Sequence, residues 1–198
     1  MVRPAPLGTT LISASSDEED SALVRCLILY ETSEGQTAKI AGEIAATLRD
    51  LGHTVDESRT ADAPKLADYG VVILGSPIHV GEHDPKLVEW ARSHAEELAA
   101  VRSAFFSVSL AQASKNPQER EEARHMAESF VAEVGWRPDL LACFAGAIAY
   151  SQYGFLKKLV MRRIARKEGG GTDFSQDYEY TDWDQVRSFA VQIVESLS

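Results

Sequence analysis

The sequence predicts an α/β protein built on a doubly wound parallel sheet with helices on both faces. Short, uninterrupted apolar runs such as residues 26–30 (CLILY) and 71–74 (VVIL) have the composition of strands covered on both sides. They alternate with segments whose apolar residues recur at helical spacing, and strand–helix alternation implies right-handed crossovers and parallel pairing. A length of 198 residues fits one such domain with a sizeable core, and 44% hydrophobic with 25% charged residues is ordinary for a globular chain.

The first strand, residues 26–30, runs into Thr32, Ser33, Glu34, Gly35, Gln36 and Thr37, and then into a helix carrying Ile40, Ala41, Ile44, Ala45, Leu48 and Leu51 at core spacing. The turn places hydroxyls, an amide and backbone N–H groups at a helix start, where the dipole is positive and the first donors have no intrahelical partner. A phosphate suits such a place. A Walker A loop is excluded because Lys39 falls inside the helix, and a Rossmann fingerprint because Gly35 is the only glycine of the turn. Two readings of the turn stand at this point: a phosphate cradle, or a plain helix cap made by Thr32 or Ser33. Glu34 is compatible with a phosphate only if its side chain points away and its backbone N–H contributes.

Gly52 is placed to end the first helix, and residues 53–56 (HTVD) alternate as an edge-like second strand. Residues 69–75 (YGVVILG) form a central strand that leads into a loop of turn residues, 76–83. Asp84 and Pro85 then cap and start a helix with Leu87, Val88, Ala91, Ala95 and Leu98 inward. Residues 104–108 (AFFSV) make the fourth strand, followed by a polar segment to Asn116. Asn116 and Glu119 on either side of Pro117 start another helix, and Gly135 stops it. Residues 140–145 (LLACFA) supply the fifth strand. The last helix begins at residues 181–184 (TDWD) and turns Val186, Phe189, Ala190, Ile193 and Leu197 inward. Ligands of such sheets bind at the carboxyl ends of the strands, so the loops after the strands converge on one edge.

Residues 1–22, with Pro, Thr, Ser and the acidic run Asp17-Glu18-Glu19-Asp20, form a tail that buries little; residues 23–198 form the domain. A net charge of −10 argues against a nucleic-acid surface. Cys26 and Cys143 fall in strands expected to be buried, with no disulfide or metal-ligand pattern, so the default setting is reducing and cytoplasmic. No apolar run reaches membrane-spanning length. Residues 148–177 break the strand–helix alternation and hold the concentrated basic patch Lys157, Lys158, Arg162, Arg163 and Arg166. This insertion is either a surface helix with a solvated face or a docking element for anionic groups, such as substrate propionates or the headgroups at the inner face of the membrane.

Taken in order, the Gly-Gln-Thr turn, residues 104–108, Trp136-Arg137-Pro138-Asp139, Ala145-Gly146-Ala147, the basic insertion closing on Gly169-Gly170, and Tyr180-Thr181-Asp182-Trp183 resemble the flavodoxin-like, quinone-dependent protoporphyrinogen oxidases of haem biosynthesis. The resemblance spans residues 25–194. It implies a flavodoxin-like five-stranded sheet of order 2-1-3-4-5 with a long insertion near the last strand, bound FMN, oxidation of protoporphyrinogen IX, and a quinone as acceptor. By the same resemblance the residues from Thr32 to Thr37 hold the phosphate. Ser76, Pro77, Ile78, His79, Val80 and Gly81, with Ser107, Val108, Ser109, Leu110, Ala111 and Gln112, flank the isoalloxazine. The cofactor carries the redox chemistry, so no catalytic triad is expected. His79 is either a proton relay near the flavin or a polar surface residue. A flavodoxin-type electron carrier is the alternative, because the acidic balance suits docking to a basic redox partner. A third possibility is a flavodoxin fold that has lost FMN.

Overall fold

The protein is described here by a computed structural model covering residues 23–148 and 178–195. Its sheet contains β1 (Arg25–Tyr30), β2 (Thr54–Ser58), β3 (Val71–His79), β4 (Glu82–His83), β5 (Arg102–Ser109) and β6 (Leu140–Ala145). The order is β2-β1-β3-β5-β6, all parallel, with β4 added antiparallel to β3. With β4 set aside, this is the expected 2-1-3-4-5 order. The register brings Tyr30 opposite Gly75, Ser76 opposite Ser107, and Ser109 opposite Ala145, so the central strands end together on one edge.

The apolar runs are explained by burial on both faces. Cys26, Ile28, Ile73 and Phe106 point to one side, against Ile40, Ile44 and Leu48 of α1 (Gln36–Asp50) and Val186, Phe189 and Ile193 of α5 (Trp183–Glu195). Their neighbours Leu27, Leu29, Val72, Leu74 and Phe105 point to the other. They meet Leu87 and Ala91 of α2 (Pro85–Ser93), Leu98 of α3 (Ala95–Ala99), and Ala127, Phe130 and Val134 of α4 (Pro117–Val134). Each fully buried Leu, Ile or Phe contributes roughly 1.5–3 kcal/mol relative to exposure.

Several expectations are corrected. The segment after residue 75 is not a loop: β3 continues to His79 and turns back through Val80-Gly81 into β4, giving a sixth strand. The single helix expected after Asp84 is two, because His94 leaves helical geometry at φ −117° and its ring stacks on Trp90 at 4.3 Å. Its Nδ1 also lies 2.8 Å from the Trp90 carbonyl, a local contact that competes with the next turn. Ala95 is consequently half-buried. The polar segment after Ser109 holds a short 3-10 turn, Leu110–Ala113. Leu51 is 46% exposed, since it follows the end of α1. Cys143 is half-buried, because β6 is an edge strand among the described residues. Burial pushes both thiols up to about 11, so neither is a ready nucleophile. Leu197 and residues 1–22 lie outside the described residues.

Candidate functional site

The turn between β1 and α1 lies at the carboxyl edge of the sheet. Thr32 Oγ1 accepts a hydrogen bond from Gly35 N at 2.9 Å, which closes the turn onto the N-cap residue of α1. Gly35 takes φ 89°, a left-handed conformation that favours glycine, and a β-carbon built there would meet nothing within 4 Å. No side-chain hydrogen bond caps α1, and its first turn carries no acidic residue. The plain-cap reading of Thr32 and Ser33 is thereby corrected, because Thr32 bonds to the N-cap residue itself. The dipole of a 15-residue helix points its positive end into this turn. Gln36 and Thr37 are buried, Ser33 is exposed, and Thr32 and Glu34 are half-buried.

Sequence reasoning missed Glu31, which is only 2% exposed. Its carboxylate accepts from Arg59 Nε at 3.0 Å and from Arg59 Nη2, and from Thr60 Oγ1 at 2.5 Å and Thr60 N at 3.3 Å. Desolvation raises its pKa, but the Arg59 and Thr60 donors outweigh that and hold the carboxyl below its ordinary value.

Beside the turn stand the ends of β3 and β5. Val80 and Gly81 both have positive φ, 53° and 84°, the pattern of a type I′ hairpin turn. Val80 is 96% exposed, and Leu110 after β5 is 39% exposed, so two apolar side chains face outward from this edge. Ser76 is buried. Its Oγ accepts from Asp84 N at 3.1 Å and donates to Pro77 O, which fixes the base of the hairpin. His79 is exposed at the hairpin and pairs in register with Glu82. The buried imidazole is instead His83, whose Nε2 lies 3.0 Å from Ser107 Oγ and whose ring packs on Phe105 and Phe130. Burial pushes it down to about 4, so it is neutral near pH 7. A histidine four residues from the expected one carried no separate sequence signal.

A short clasp completes the edge. β7 (Ala147–Ile148) pairs antiparallel with β8 (Tyr178–Glu179), which joins the described residues on either side of 149–177. Tyr180 N donates to Gly146 O at 3.1 Å. Thr181 Oγ1 donates to Ala145 O at 2.7 Å and accepts from Gln36 Nε2 at 2.8 Å, while Lys39 pairs with Glu179 at 3.1 Å. The insertion is thus rooted beside the Thr32–Thr37 turn. The basic residues Lys157, Lys158, Arg162, Arg163 and Arg166 lie outside the described residues. Among the described residues, no group of side chains is arranged to hold a metal ion, and no helix is long and apolar enough to cross a membrane.

The sheet order, the turn after β1 and the loops gathered at the carboxyl edge define a flavodoxin-type α/β protein. A family model described as a flavodoxin domain matches residues 27–175, and the chain belongs to that family. The fold is shared with oxidised flavodoxin 2 from Bacillus cereus, at a TM-score of 0.53 and 21% identity over 87% of this chain and 99% of that one. Curated relatives narrow the comparison to protoporphyrinogen IX dehydrogenase (quinone). The protein of that name from Escherichia coli K12 is 34% identical over 173 residues, covering 86% of this chain and 94% of its own length. The one from Leishmania major is 35% identical over 169 residues, covering 84% and 73%.

Proposed function

We propose that this chain is an FMN-dependent oxidoreductase that oxidises protoporphyrinogen IX to protoporphyrin IX and passes the electrons to a quinone. The observation that carries the reading is the meeting, on one sheet edge, of an uncapped helix start and two outward-facing apolar side chains, Val80 and Leu110. The relatives named above support the choice of substrate and acceptor. The residues fit FMN: an anion is favoured where α1 presents its first donors without a carboxylate in its first turn. Thr32, Ser33 and Thr37 supply hydroxyls and Glu34 and Gln36 supply backbone N–H groups, while Gly35, whose own N–H is held by Thr32 Oγ1, shapes the turn and the Gln36 side-chain amide is engaged with Thr181.

The hairpin residues from Ser76 to Gly81 and the segment from Ser107 to Gln112 flank the flavin ring, where Val80 and Leu110 exclude water from its faces. When bound, the flavin supplies the two-electron redox chemistry, while protein groups orient it and set its potential. His79 on the exposed hairpin is the candidate proton carrier. Lys157, Lys158, Arg162, Arg163 and Arg166 dock anionic groups of the substrate or of a membrane surface. Neutralising them together should weaken that association and leave FMN bound; unchanged kinetics would remove the role.

Replacing Thr32 and Thr37 together by Val tests the cofactor assignment. FMN should be lost from the purified double variant while its circular dichroism stays that of the parent. Retained stoichiometric FMN would move the phosphate elsewhere.

A further inference from the structure

The ion pair between Glu31 and Arg59 has no part in the reading above, yet it sits directly before the turn. Arg59 follows β2, 28 residues from Glu31, and parallel pairing of β1 with β2 brings the two together. The arginine side chain touches three consecutive residues. Its guanidinium lies 5.6 Å from the centre of the Tyr30 ring, it bonds the Glu31 carboxylate through Nε and Nη2, and Nη2 also reaches Thr32 O at 3.4 Å. Thr60 closes the other carboxylate oxygen, and Glu31 N donates to Gly75 O at 3.0 Å. A continuous chain of bonds therefore runs from the end of β2 through Glu31 and Thr32 to Gly35, the residue from which α1 starts.

An ion pair with only its carboxylate buried is poor evidence for net stability, since desolvation of Glu31 offsets its attraction to the half-exposed Arg59. What two guanidinium donors meeting one carboxylate oxygen, Oε2, with Nη2 also on Thr32 O, supply is fixed geometry. Here the fixed element is the first residue of a ligand-binding turn. We propose that Arg59, oriented by the buried Glu31, is a positioning residue that holds the turn in the shape that receives the flavin phosphate. The proposal rests on the FMN assignment above.

The test compares FMN with riboflavin, which has the same ring and no phosphate. Each is titrated into the flavin-free full chain, with binding read by quenching of flavin fluorescence. For Arg59→Met, FMN affinity should fall at least tenfold while riboflavin affinity changes less than twofold. Because that variant leaves a buried carboxylate without its partner, Arg59→Met combined with Glu31→Gln is measured alongside. It should recover the denaturation midpoint yet keep the weak FMN binding. Arg59→Lys, which keeps charge but loses the paired donors, should fall between parent and Arg59→Met. Equal losses for FMN and riboflavin, or no loss for either, would overturn the positioning role. A parent chain that binds neither flavin would instead overturn the FMN assignment itself.

Discussion

Val80 and His83, three residues apart, carry opposite kinds of stress. Val80 holds φ 53°, a conformation costly for a β-branched side chain, with its apolar surface almost wholly exposed. Strain of this kind is worth roughly 1–3 kcal/mol and collects at ligand clamps. Val80→Asn gives the turn the Asn-Gly pair that type I′ geometry favours. It should raise stability by about 1 kcal/mol in urea denaturation and weaken FMN binding several-fold; unchanged FMN affinity would remove Val80 from the flavin's surroundings. His83 is buried and neutral, bonded to Ser107. Its folded pKa of about 4 lies below the unfolded 6.5, so the unfolded chain binds more protons between those values. Stability is therefore full above pH 6.5 and declines as pH falls to about 4, by on the order of 3 kcal/mol from this residue. His83→Gln should flatten that slope of denaturation midpoint against pH. His53, also buried and also shifted down by desolvation, keeps part of the slope. Glu31 acts in a lower window: held below its ordinary value, it withdraws its support only as pH drops beneath about 4.5.

At the scale of elements, the ends of helices follow from local chemistry. Asp84 accepts from Lys86 N at 2.9 Å and Asn116 from Gln118 N at 3.1 Å, with Pro next in each case, and Gly135 ends α4 at φ 72°. Asp84→Ala should cost about 1 kcal/mol, read as a lower urea midpoint. The clasp is the other element with a direct test. Thr181→Val deletes both the bond to Ala145 and the one from Gln36, and should cost about 1–2 kcal/mol while speeding amide exchange at Tyr180. Capping residues, the turn from Thr32 to Thr37 and the five parallel strands were legible because each is written in a contiguous stretch. The hairpin was not. Ser76 and Pro77 interrupt the strand pattern, and a turn that opens on Val rather than Asn or Gly hides its type. The Glu31–Arg59 pair was equally hidden, because an acid at a strand end reads as solvent-facing until the β1–β2 register places Arg59 beside it.

At the scale of the whole molecule, the sheet brings to one edge the turn after β1, the hairpin after β3, the segment after β5 and the clasp after β6. Each comes from a different part of the chain, and parallel topology alone makes them neighbours. In an acidic chain, net −10, the turn proposed to receive the phosphate offers helix donors and hydroxyls instead of a basic surface. The same arrangement serves an electron carrier, so the decisive question is whether the bound flavin meets a small substrate. The most direct measurement is an anaerobic assay of the FMN-loaded chain with protoporphyrinogen IX, following porphyrin fluorescence with and without a menaquinone analogue. Fluorescence that rises only with protein and quinone together is the predicted result. No turnover with FMN demonstrably bound would contradict the enzyme assignment and leave a carrier that docks to a protein partner.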